Sequence, residues 1–199
     1  PTSYLVLLAL VLGMSYFLVS RLVTDTRLSM NCVPFFFLGA GFMLVETKAI
    51  TELGLMYGNT WYVIAVTIVS ILSLAFLANY IVMKYKVNMH HMAFAALIAI
   101  LGLSYYFIAY QGLKTIVTND ILMTVLLTSP LFFSGIIFSQ LLEKSKAPIS
   151  QIMAYNLIGA MFGGALEYNS MYFGFSFLYL IALVVYALAF LTALKPSKN

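Results

Sequence analysis

The sequence predicts an all-α protein, a polytopic membrane helix bundle with seven transmembrane helices. Two features of composition support this: 63% of the residues are apolar and only 8% are charged, whereas a soluble domain carries about 25% charged residues. The third is that apolar runs of roughly 20 residues, enough to cross a bilayer as a helix, recur along the whole chain. No linker or low-complexity segment divides the chain, so we expect residues 1–199 to form a single transmembrane domain with the lipid bilayer as its solvent.

Seven segments have the length and composition of a membrane span. They cover residues 4–22, 33–57, 61–83, 90–110, 119–142, 151–172 and 174–194. The first apolar run lacks a basic leader and a small-residue cleavage site, so we expect no cleavable signal peptide there. Spans six and seven are separated only by a short turn near Gly174, which predicts an antiparallel hairpin. Pro130 lies inside span five, where it removes a backbone donor and is expected to kink the helix.

The basic residues indicate how the chain is oriented. Lys48 lies within a span, and Lys114 follows span four on the opposite side from the rest. The other eight of the ten bases share one side, namely Arg21, Arg27, Lys84, Lys86, Lys144, Lys146, Lys195 and Lys198. The positive-inside rule then places the amino terminus outside and the carboxyl terminus in the cytoplasm. We therefore expect a multi-pass protein of the cell inner membrane.

Span two carries charges that a bilayer rejects. A Glu or Lys near the bilayer centre costs roughly 2.5–3.5 kcal/mol on insertion scales, so such residues face a protein interior or a wet cavity. At about 100° per residue, Lys48, Glu52 and Gly41 share one face of the helix, whereas Glu46 lies almost opposite, on the face of Gly39. Polar groups on two sides predict that neighbouring helices enclose span two.

Span six has a similar stripe. Asn156, Gly163 and Glu167 repeat the spacing of Gly41, Lys48 and Glu52. Small residues let another helix approach closely, and we assign five glycines to helix packing: Gly39 and Gly41 on span two, and Gly159, Gly163 and Gly164 on span six. Because both spans cross the bilayer in the same direction, we predict that spans two and six pack together, with Lys48 bridging Glu52 or Glu167.

Three interpretations of these charges stay open. They could form a structural network that sets helix register, or a functional cavity for a cation or proton. They could also lie at the surface, if the span boundaries are misplaced. Three glutamates face one lysine, so at least one glutamate needs a proton, a cation, a basic ligand or water.

Other site chemistries find little support in the sequence. Adjacent His90 and His91 point about 100° apart on a helix, so they do not form a metal pair, and Cys32 is the only cysteine. We expect no metal and no cofactor. Span seven has no lysine before Lys195 to form a rhodopsin-type Schiff base. The bases are scattered rather than gathered in a patch, which argues against a nucleic-acid partner.

Two stretches together carry a resemblance to a known family. One is the motif over residues 36–53, FFLGAGFMLVETKAITEL, followed by YGNTW at residues 57–61. The other is NLIGA at residues 156–160, followed by GGALEYNSM at residues 163–171. Together they resemble the carboxyl-terminal membrane region of bacterial spermidine-synthase-like, or aminopropyltransferase-like, membrane proteins.

The resemblance implies a membrane region without its enzyme. The family's nucleotide-binding domain has no counterpart in this chain, so we expect no enzymatic activity. The polar positions that match the family motifs are Glu46, Lys48, Glu52, Asn156 and Glu167.

Our leading hypothesis for function is transport or binding of a small cationic or proton-coupled solute. The three glutamates would receive the cation or proton, and Lys48 would act as an internal counter-ion. One alternative is a non-catalytic subunit that packs against other membrane subunits of a larger complex. Another is the membrane anchor of a separately encoded, soluble spermidine-synthase-like domain.

Overall fold

The computed structural model describes residues 30–85, 90–106 and 120–194, together with single helical positions at 6, 9, 10, 13, 14 and 17. The described residues are helical apart from short turns. Six helices carry the fold: α1 (Val33–Tyr57), α2 (Trp61–Tyr85), α3 (His90–Tyr106), α4 (Asp120–Lys144), α5 (Ile149–Leu166) and α6 (Phe177–Ala193). After α5 the chain continues through a 3-10 turn, Glu167–Asn169, and one more helical turn, Ser170–Phe173.

The predicted all-α class is confirmed. In the described part of the chain, four helices are long and apolar enough to cross a membrane: Val33–Tyr57, Trp61–Tyr85, Leu122–Lys144 and Ile149–Phe173. Two shorter apolar helices are His91–Tyr106 and Phe177–Ala193. The chain is therefore a helical bundle compatible with an integral membrane protein. The first predicted span falls mostly outside the described residues.

Helix α1 lies at the centre of the bundle. It packs against α5, α6, α4 and α2, in decreasing order of the extent of contact. Twelve of its 25 residues are buried, whereas only four of the 25 residues of α2 are. The prediction that neighbours enclose the second span is therefore confirmed.

Helices α1 and α6 run antiparallel in a defined register. Gly41 lies against the ring of Tyr186, where a β-carbon would stand 2.6 Å from the ring carbon Cζ. Seven residues further along α1, Lys48 lies over Tyr179, which is seven residues earlier on α6. Seven residues make nearly two helical turns, so both contacts lie on one face of each helix.

Helices α2 and α4 meet through small and polar residues. Ala78 lies close to Gly135, where an added β-carbon would be 3.1 Å from the Ala78 side chain. The neighbouring Ser139 hydroxyl donates a hydrogen bond to Asn79 Oδ1. Small residues allow this close approach, and the side-chain pair fixes the register of the two helices.

Helix α4 runs through Pro130 without ending. A proline inside a helix removes the backbone hydrogen bond to the carbonyl four residues earlier, here that of Leu126. The hydroxyl of Ser129 donates to this carbonyl at 2.7 Å and supplies the missing partner. In an apolar surrounding a polar side chain commonly compensates for proline in this way, because no water is present to do so.

Candidate ligand site

A seam of glycines joins α1 to α5. A β-carbon at Gly159 would overlap the backbone carbonyl of Phe36, and one at Gly163 would overlap the carbonyl of Ala40. From the other helix, a β-carbon at Gly39 would overlap the carbonyl of Asn156. From Phe36–Gly159 to Ala40–Gly163 the contact advances by four residues on both helices, so α1 and α5 are parallel. This backbone-on-backbone contact is typical of small-xxx-small packing.

Two of the glycines assigned to helix packing occupy other environments. Gly41 faces α6 and accommodates the Tyr186 ring rather than α5. Gly164 has room for a side chain, because its nearest neighbour would be Met43 Cγ at 3.9 Å. The close seam therefore depends on Gly39, Gly159 and Gly163.

Helix α1 contains a buried ion pair. Lys48 is only 2% exposed, and its ammonium donates a hydrogen bond to the carboxylate of Glu52, which is 14% exposed. Burying a charge is costly unless an opposite charge compensates for it. Of the two partners that the sequence pattern predicts for Lys48, the structure pairs it with Glu52.

Two aromatic rings complete the surroundings of the Lys48 ammonium. Lys48 Nζ lies 5.4 Å from the ring centroid of Tyr179 and 5.7 Å from that of Phe175. Both distances are within the range of about 6 Å for cation–π attraction. Phe175 lies in the turn between α5 and α6, directly after Gly174, whose φ of +83° suits glycine. We call Glu52, Phe175 and Tyr179 the ammonium cage.

Glu46 and Glu167 are arranged differently. Each is partly buried, and neither side chain forms a hydrogen bond or ion pair with another described residue. Glu46 lies one turn beyond Met43, the residue that borders Gly164, and Glu167 lies one turn beyond Gly163. Both acids therefore follow the close part of the α1–α5 seam.

The polar stripes predicted for spans two and six do not face each other as a unit. The stripe of Gly41 and Lys48 faces α6, whereas the side of α1 that carries Gly39 faces α5 and Asn156. Asn156 is partly buried, and its Oδ1 also borders Gly39, 2.8 Å from where a β-carbon would stand. Helical periodicity places these residues on separate faces of α1, but it does not specify which neighbour each face meets.

Three buried polar groups were missed in the sequence analysis. Tyr179 contacts Lys48, and Tyr186 donates a hydrogen bond to Ser134 Oγ at 3.1 Å. Gln140 is 1% exposed, and its amide oxygen and nitrogen have no hydrogen-bond partner among the described residues. The two tyrosines are seven residues apart, as are Gly41 and Lys48, and this matching spacing is the feature of the sequence that could have identified them. For Gln140 the sequence carries no such signal.

The described residues include no group of three or more His, Cys, Asp or Glu side chains that could hold a metal ion. His91 is exposed and its ring packs edge-on against Phe190, with 5.8 Å between ring centroids. The side chain of His90 lies outside the described residues. Cys32 is buried beside Phe35 and Ile152, in keeping with a small core residue.

Comparison with known proteins does not assign a family. No family model matches this chain, and no curated protein or solved structure matches it either. The class defined by the fold and the site is a helical bundle, compatible with an integral membrane protein, that encloses a lysine–glutamate pair.

Proposed function

We propose that the chain is a multi-pass protein of the cell inner membrane, with seven spans, an outer amino terminus and a cytoplasmic carboxyl terminus. The six described helices coincide with spans two to seven of the sequence prediction. The distribution of the basic residues supports the orientation.

We further propose that the protein binds or transports a small cationic or proton-coupled solute. The observation that carries this proposal is the pair of partly buried acids, Glu46 on α1 and Glu167 in the 3-10 turn that directly follows α5. Glu46 and Glu167 have no counter-charge among the described residues, while Lys48, the only base in the sequence of α1 and α5, is held by Glu52. Carboxylates in a membrane interior need a proton or a cation, and an intramembrane acid is by default a functional candidate.

The parts of the site have distinct roles in this proposal. Glu46 and Glu167 receive the cation or proton at the end of the glycine seam, and the amide of Asn156 offers a neutral polar group along the same interface. Lys48 acts as internal counter-ion to Glu52, which leaves the two other acids available for the solute.

Transport can be tested with the full chain in proteoliposomes, using uptake of labelled methylammonium and the accompanying proton flux. Glu46→Gln removes the acid but keeps its size, and we expect it to abolish flux while the protein still folds. Glu143→Gln is the matched control, because Glu143 is exposed near the end of α4. Unchanged flux in a folded Glu46→Gln protein would remove the proposal.

A second proposal is a non-catalytic subunit of a larger membrane complex, or the membrane anchor of a separately encoded spermidine-synthase-like enzyme. One feature of the sequence that fits this proposal is the small-residue surface of span six, against which another subunit could pack. Gly159 and Gly163 instead pack against α1 of the same chain, so that argument is weakened. Stoichiometric co-purification with other subunits, or an adjacent gene for an α/β enzyme, would favour this alternative. In neither proposal is this chain an enzyme by itself.

A further inference from the structure

The cage around Lys48 has the composition of a binding site for an ammonium ion. Glu52 supplies a carboxylate, and Tyr179 and Phe175 supply two ring faces, all directed at one ammonium group. Aromatic rings combined with a negative charge are the usual means by which proteins recognise primary and quaternary ammonium ligands. In this structure the ammonium that fills the cage belongs to the protein itself.

Two of the three cage residues are partly exposed at the surface of the described bundle. Phe175 is 41% exposed and lies in the turn between α5 and α6, and the Glu52 side chain is 14% exposed. Tyr179, in contrast, is buried within α6. The cage therefore has a fixed inner wall, and its outer wall lies on a turn at the end of the bundle.

Lys84 shows which features distinguish this cage. Its ammonium also lies over two rings, 5.5 Å from the centroid of Tyr80 and 5.4 Å from that of Tyr85. Lys84 is exposed on the surface of α2, however, and forms no ion pair with any acid in the described part of the chain. Burial and a carboxylate thus separate the Lys48 cage from an incidental surface contact.

We propose that the Glu52–Phe175–Tyr179 cage is a binding site for an organic ammonium ligand, and that Lys48 is a tethered internal ligand which the external ammonium displaces. The inference rests on the proposed cation-binding function but uses residues other than Glu46 and Glu167. When no solute is bound, the Lys48 ammonium balances the negative charge of Glu52. Every incoming cation must compete with Lys48 for the cage. Binding to wild-type protein is then weakened by the cost of displacing Lys48.

Displacement can be tested in the wild-type chain in nanodiscs, with tetramethylammonium chloride as the probe and sodium chloride at equal concentration as the control. An amine-acylating reagent followed by mass spectrometry reports how accessible each lysine is, and tetramethylammonium does not react with the reagent. We expect acylation of Lys48 to rise severalfold with tetramethylammonium but not with sodium, and acylation of Lys84 to be equal in both salts. Equal acylation of Lys48 in the two salts would overturn the proposal.

Competition can be tested by calorimetry on variants. Lys48→Ala should bind tetramethylammonium at least about tenfold more tightly than wild type, which corresponds to about 1.4 kcal/mol. Lys48→Met offers the same test with less change in volume if Lys48→Ala does not fold. Adding Glu52→Gln to either variant should remove the gain, and affinity equal to that of wild type in the single variants would exclude Lys48 as a competitor.

The two proposals can fail separately. Glu46→Gln, added to Lys48→Ala, should leave tetramethylammonium binding to the cage intact while abolishing flux. Flux that depends on Glu46, without any tetramethylammonium binding at the cage, would support the acids of the seam and reject the ammonium site. Cage binding without any flux in wild-type protein would support the ammonium site and reject transport.

Discussion

The ammonium of Lys48 lies 5.4 Å from the ring centroid of Tyr179, across the antiparallel interface of α1 and α6. Nearly two helical turns away, Gly41 contacts Tyr186 in the same register. The Tyr186 ring lies so close to the α1 backbone that only glycine fits at position 41. The Tyr179 ring leaves room for the long side chain of Lys48. This interface therefore couples the buried charge of α1 to the packing of α6.

The two adjacent glycines of α5 should respond differently to substitution. Gly163→Ala places a methyl group on the Ala40 carbonyl, so we expect the free energy of unfolding to fall by about 1–3 kcal/mol. Gly164→Ala is the matched control, because its β-carbon meets only Met43 at 3.9 Å. Its unfolding free energy should be unchanged or rise by up to about 1 kcal/mol through helix propensity. Denaturation in detergent, followed by circular dichroism, measures both, and equal effects would contradict the backbone contact.

The buried ion pair predicts a strong coupling between Lys48 and Glu52. Glu52→Gln leaves a 2%-exposed ammonium without its counter-charge, and we expect a loss of stability of about 3–5 kcal/mol. The double variant Lys48→Met with Glu52→Gln should lose less than the sum of the single variants, because no isolated charge remains. Exposed Lys84→Met is the control and should stay within about 0.5 kcal/mol of wild type. Additive effects in this cycle would mean that the pair contributes nothing.

Gln140 predicts a stabilising substitution. Its amide is buried without a hydrogen-bond partner in the described part of the chain, and an unsatisfied buried polar group costs about 1–3 kcal/mol. Gln140→Leu should therefore raise the midpoint of thermal unfolding. Tyr186→Phe is the comparison, since it removes a satisfied hydrogen bond to Ser134 and should cost about 0.5–1.5 kcal/mol. A clear loss of stability in Gln140→Leu would show that the amide has a partner, such as a bound water.

The stability cost of removing the Ser129 hydroxyl should depend on whether residue 130 is proline. Ser129→Ala removes the donor to the Leu126 carbonyl, so we expect a loss of about 0.5–1.5 kcal/mol of unfolding free energy. In a Pro130→Ala background the restored backbone N–H can bond to the same carbonyl, and the Ser129→Ala change should then cost little. Chemical denaturation of the four proteins measures this cycle, and an equal cost in both backgrounds would refute the compensation.

Local pattern was sufficient to predict the helices. The bounds predicted for the second span, residues 33–57, coincide with α1, because Pro34 suits a helix start and Gly58 follows its last residue with a φ of +94°. The chain turns between spans six and seven at Gly174, the other glycine with positive φ among the described residues. The predicted hairpin is not a packed helix pair, because α5 and α6 both pack against α1 rather than against each other. Helix formation and termination depend on residues close in sequence, so a single sequence reveals them.

The partners of each helical face were less predictable. Gly159 and Gly163 were identified as packing residues from their spacing, and the structure places them against Phe36 and Ala40. The cage was not foreseen, because Phe175 and Tyr179 look like ordinary apolar residues of a span and its turn. A cage residue differs from a residue that faces lipid only in its contact with a charged side chain on another helix, and the sequence does not show that contact.

The sequence by itself determined that this protein is helical, where most of its helices begin and end, and which faces of α1 and α5 carry charge. Those properties follow from backbone hydrogen bonding, helical periodicity and the exclusion of charge from apolar surroundings, all of which act within one helix. Only the tertiary structure decided that Lys48 faces α6 and its tyrosines, while Glu46 and Glu167 follow the α1–α5 seam. Which neighbour a face meets depends on how side chains of distant segments fill space together, and glycine and tyrosine volumes on three different helices settle it here.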